Sequence, residues 1–141
     1  MDRPFAWIGI VLLALWLVLI VDKTVPYDLA SHGLRPRTLA GLPGIITMPF
    51  LHGGFRHLLG NSVSLGILLA LLSGSQKHAR PLALVTAISG SCLLWVAGRD
   101  ANHLGASAWI FGLVGLMIGL GYFDRRVVPV LVAVAVGILF G

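Results

Sequence analysis

The chain has 141 residues, 57% of them hydrophobic and 11% charged, with a mean hydropathy of +0.96. A soluble domain of this size carries roughly a quarter charged residues, so the composition excludes an ordinary soluble fold and predicts a polytopic membrane protein. Ten Lys/Arg against five Asp give a net charge of +5. With so little water-facing surface, that charge reads as membrane topology and headgroup contact and excludes nucleic acid as a partner.

No polar linker is long enough to divide the chain, so residues 1–141 are read as a single all-α membrane domain. Apolar runs predict spans at 5–21, 54–72, 81–97, 104–123 and 127–140. Crossing a hydrocarbon core of about 30 Å takes ~20 helical residues. The second run reaches that length only if its helix begins within FLHGGFRHLL. The fifth is short, rising only about 21 Å. The first run is too long for the apolar region of a signal peptide, and Asp-Lys-Thr-Val-Pro follows it in place of a small-residue cleavage site, so an uncleaved span is expected.

The long first loop, 22–53, contains Pro26, Pro36, Pro43 and Pro49, which break regular helix. Its segment GIITMPFL is apolar enough to lie at the interface, so a partly immersed loop is expected. Later connections are short. Lys77, Arg80, Arg125, Arg126 and Arg3 gather on one side. Lys23, Arg35, Arg37, Arg56 and Arg99 are spread over a greater length on the other. That density predicts a cytoplasmic N-terminus in a bacterial inner membrane.

Polar residues stand where lipid should forbid them, and such residues are functional-site candidates. Ser107 opens an apolar helix, where unpaired N–H groups and the positive end of the helix dipole suit a developing oxyanion. The plainer alternative is that Ser107 caps that helix, while Gly105, Gly112, Gly115 and Gly119 allow close packing. His57 and Asn61 are four apart and share a helix face. Counting spans puts them at the same end of the membrane as Ser107. His52 lies one step earlier. The alternative for all three is hydrogen bonding to headgroups or loop carbonyls.

The run HGGFRHLLGN resembles the H-x4-H-x3-N motif of rhomboid intramembrane serine proteases, and GASAWIFG resembles their G-x-S-G-x-x-x-G motif. The resemblance implies a six-helix bundle with five spans present in this chain. It makes Ser107 the nucleophile, with His57 and Asn61 joining the Ser107 N–H around the oxyanion. Gly105 would permit close approach at the serine turn, and His52 would support the site's outer rim. The implied substrates are transmembrane segments of membrane proteins, cut near the outer face by a Ser–His dyad, with no cofactor.

Three departures stand out. Ala108 replaces a glycine of the motif. The family's Trp-Arg pair in the first loop has no clear counterpart, although Arg35 and Arg37 lie in the right segment. The family's base is a histidine in the sixth span, and here no histidine follows His103. The sequence therefore reads as C-terminally incomplete, and a serine without a base is a weak nucleophile. His103 precedes Ser107 by four residues, but a short loop seldom folds a side chain back onto the helix start.

The histidine spacing does not suit zinc, and no metal is expected. The lone Cys92 allows no intrachain disulfide. The rival functions are a proteolytically silent rhomboid-like protein that binds transmembrane helices, and a small transporter or channel subunit. Neither needs a serine combined with an oxyanion set.

Overall fold

The computed structural model describes residues 5–125 and 127–140. Arg3 and Arg126, two of the residues behind the orientation expected above, lie outside them. The described residues form helices and turns, with one isolated antiparallel backbone bridge and no β-strand. The chain runs through α1 (Ala6–Thr24), the single turn α2 (Gly44–Thr47), α3 (Phe55–Ser75), α4 (Ala79–Ala97), α5 (Ser107–Asp124) and α6 (Val127–Phe140).

Local chemistry sets these limits. Val25 is extended at the end of α1, as the residue before Pro26 must be. Gly53 and Gly54 break the chain ahead of α3, and Gly98 ends α4. Arg125 closes α5 in the left-handed region at φ 53°. α1, α3 and α4 are each long and apolar enough to cross a membrane, and 19 residues rise about 28 Å. A helix satisfies its own backbone groups, so lipid selects this structure for such sequences.

Apolar side chains face outward as well as inward. Ile10, Leu93 and Ile138 are 68%, 69% and 76% exposed, which would be a liability in water and is the expected surface in lipid. Leu15, Leu65, Leu68, Leu69, Leu72 and Leu113 are fully buried among the helices. Lipid tails are as apolar as leucine, so this core is held by close packing and a few polar ties. Trp16 Nε1 donates to Ser62 Oγ at 3.1 Å, linking α1 to α3. The hydroxyls of Ser64 and Thr86 donate to carbonyls one turn back, at Gly60 and Leu82, both at 3.0 Å.

α5 is the hub, packing on α3, α4 and α6. It meets α4 almost backbone to backbone, since a Cβ added to Gly90 would fall 2.6 Å from the Ala108 carbonyl oxygen. One turn further, Gly112 lies against the Thr86 carbonyl.

The first loop folds into short helical turns and is stitched to the far helix ends. Leu34 and His103 exchange backbone hydrogen bonds at 3.0 and 2.8 Å. Asn102 Nδ2 donates to the Ala30 carbonyl at 2.9 Å. Arg37, itself left-handed at φ 56°, donates to the Val96 and Gly98 carbonyls at 3.2 and 2.6 Å. That guanidinium caps the carbonyl end of α4, where a cation is favoured. Trp95 Nε1 completes the clasp by donating to the Thr38 carbonyl at 3.1 Å.

Candidate active site

Residues from two sequence runs come together where the start of α3 meets the start of α5. His57 lies in the first turn of α3 and Asn61 one turn on, so one helix face carries both. Opposite them, Gly105 has φ +95°, a conformation that glycine reaches without penalty. A Cβ there would fall 2.6 Å from His57 Nε2 and 2.8 Å from Asn61 Nδ2. The ring and the amide thus rest directly on the backbone of the turn that leads into Ser107.

Ser107 is the first residue of α5, and Ala106 occupies the capping position without a side-chain bond. Ser107 is therefore not the helix cap. Its N–H belongs to the first turn, whose amides have no partner within the helix. Among the described residues its hydroxyl has no hydrogen-bond partner, and the side chain is half-buried. The Gly105 N–H donates to the Met48 carbonyl at 3.1 Å, so the first loop fixes the serine turn from beneath.

His52 lies under this cluster, only 2% exposed. Asn61 Nδ2 donates to His52 Nε2 at 3.0 Å, and His52 Nδ1 faces the Phe50 carbonyl at 3.3 Å. One tautomer serves both contacts, with the proton on Nδ1 and Nε2 accepting. The rings of His52 and His57 meet edge to face, their centroids 5.2 Å apart. Burial is the main force pushing the His52 pKa down to about 4; the Phe50 carbonyl opposes the shift and the proximity of His57 adds to it. His57 itself is exposed.

The structure thus gathers His52, His57, Asn61, Gly105 and Ser107 in one place. His103 is turned away, its Nε2 lying 3.0 Å from the Arg99 carbonyl. Among the described residues no group of three or more His, Cys, Asp or Glu could hold a metal. Sequence reasoning passed over Met48, which holds the serine turn through a backbone carbonyl. Backbone acceptors leave no mark on residue type.

The Rhomboid domain family model matches residues 40–141. An uncharacterized protein of Mycobacterium tuberculosis is 30% identical over 135 residues, covering 90% of this chain and 56% of that protein. An uncharacterized protein of Mycobacterium leprae is 30% identical over 139 residues, covering 89% and 55%. A Bacillus subtilis protein named "Putative rhomboid protease YdcA" is 34% identical over 87 residues, covering 60% and 44%. The chain spans about half the length of the curated relatives it matches. No solved structure matches it significantly.

Proposed function

The chain belongs to the rhomboid family, and we propose that it carries the nucleophile and oxyanion cradle of an intramembrane serine endopeptidase. Its substrates are transmembrane segments of other membrane proteins. The observation that carries this is the convergence of His57 and Asn61 on the Gly105 turn, two residues before the unpartnered hydroxyl of Ser107.

In the proposed mechanism Ser107 Oγ attacks the scissile carbonyl and loses its proton to a base. The carbonyl oxygen becomes an oxyanion, held by the Ser107 N–H, His57 and the second amide hydrogen of Asn61. Collapse of this intermediate expels the amine half, and water then releases the acyl half. Donors fixed before the reaction are worth most here, and losing one from such a hole costs about 10²–10³ in rate. Asn61 is fixed by His52, and the Gly105 turn by Met48. His57 is assigned to the oxyanion, and His103 is engaged with the Arg99 carbonyl, so neither serves as the base in this reading. The base is left to a residue outside this set.

The test is fluorophosphonate labelling of the protein expressed in membranes from its complete reading frame. Labelling at Ser107 that disappears in Ser107→Ala is expected. A probe that fails to react, or that still reacts with the alanine variant, would sink the protease reading and favour a silent binder of transmembrane helices.

A further inference from the structure

Two neighbouring cavities run from the α3–α4 connection, at the far end of α4 from the serine turn, toward Trp109 of α5. The first, about 320 Å³, is polar and lies between Trp7 of α1 and the α3–α4 connection, lined by Ser73, Gln76, Lys77 and Arg80. The second, about 470 Å³, is almost wholly apolar. It shares Trp7 and Arg80 with the first and continues along Ala83 and Ala87 of α4. Phe50 of the first loop and Trp109 of α5 also line it. From Arg80 to Ile88 on its wall, α4 rises about 12 Å.

The two halves differ in chemistry. Lys77 and Arg80 are exposed, and among the described residues the one ion pair is Lys23 with Asp22, elsewhere in the molecule. The Ser73 hydroxyl, on the wall of the polar cavity, is buried and has no hydrogen-bond partner among the described residues. A buried polar group left unpaired calls for an explanation. An anion with several acceptor oxygens answers both observations. The adjoining apolar volume falls in the range of about 300–1,000 Å³ typical of small-molecule sites, and it offers an anion's hydrocarbon tail a place that water would not fill.

We propose that these joined cavities bind one anionic phospholipid, its phosphate held by Lys77, Arg80 and Ser73 and an acyl chain lying along α4 beneath the first loop. Basic pockets between helices at a membrane boundary suit such headgroups. Trp109, two residues from Ser107, lines the apolar half, so the bound chain would pack against the first turn of the serine helix. This binding needs no proteolysis, and its test is independent of the protease reading.

The experiment places the protein in nanodiscs of phosphatidylcholine containing a photo-crosslinking phosphatidylglycerol, with crosslinked peptides mapped by mass spectrometry. Crosslinks are expected on α4 and on Ile45–Phe50. The double variant Lys77→Gln with Arg80→Gln should lose about thirtyfold in crosslinking, as two surface cations are removed from an anionic lipid. Ala87→Phe, which fills the apolar cavity, should lose it as well. Should that variant not fold, Leu84→Trp on the same wall, at a position 61% exposed, replaces it. The proposal is overturned by any of three results: undiminished crosslinking in the charge variant, equal crosslinking of a phosphatidylcholine analogue, or displacement by soluble glycerol phosphate. The last would indicate a phosphate site rather than a lipid site.

Discussion

Asn61 donates to His52 Nε2, so that contact exists only while His52 is neutral. Protonation would set an N–H against the amide N–H and place a charge in a buried site. The folded pKa is about 4, against roughly 6.5 in an unfolded chain. Between these values the unfolded state binds more protons, so stability is present above about pH 6.5 and declines as pH falls toward 4. Thermal melts in detergent should therefore show a lower Tm at acidic pH, and His52→Gln should flatten that decline; an unchanged slope would refute the assignment. Gly105→Ala tests the same cluster from the other side. It meets both a positive φ and the His57–Asn61 pair, and held backbone strain of this kind costs of order 1–3 kcal/mol. The expected result is a folded protein with a lowered Tm and no fluorophosphonate labelling. The spacing H-x4-H-x3-N made the shared face of His57 and Asn61 legible in the sequence. That His52 would be buried behind Asn61 was not legible, because a loop's path is set by tertiary contacts.

Among the helices, the contact between α4 and α5 is the most demanding. Gly90 lies so close to the Ala108 carbonyl that no side chain fits without moving the helices apart. Overpacking of this kind typically costs about 1–3 kcal/mol, and here the displaced element is the first turn of the serine helix. Gly90→Leu should lower Tm and weaken labelling of Ser107, whereas Gly115→Leu, at a position with open space, should change neither; equal effects would show that the close approach is unimportant. The glycines of α5 drew attention in the sequence as a packing stripe. Of Gly112, Gly115 and Gly119, the first lies against a neighbouring backbone, while the other two meet nothing within 4 Å. Gly90, in the unremarked run Ser-Gly-Ser, makes a closer approach to a neighbouring long helix than Gly66, Gly112 or Gly137 does. Small residues mark where helices are able to approach, and the partner's position decides where they do. Arg37 of the loop and Trp95 of α4, 58 positions apart in sequence, likewise meet in one clasp at the end of α4.

As a whole the molecule is an integral membrane bundle whose outward surface is aliphatic. Alkaline carbonate strips proteins held by surface charge alone, so the chain should stay in the membrane pellet after such a wash; recovery in the supernatant would contradict the bundle. The helical architecture was largely readable beforehand, because in lipid apolar length and backbone self-satisfaction leave few alternatives. The first loop was not, since Leu34, Arg37 and Met48 reach across the molecule to partners more than fifty positions away.

One of those partners has a consequence in time. The Gly105 amide hydrogen is held by the Met48 carbonyl, and local openings expose such hydrogens to solvent at rates of their own. Its exchange with deuterium would therefore count how often the loop lifts from the mouth of the serine helix, making a single backbone hydrogen the clock of that gap.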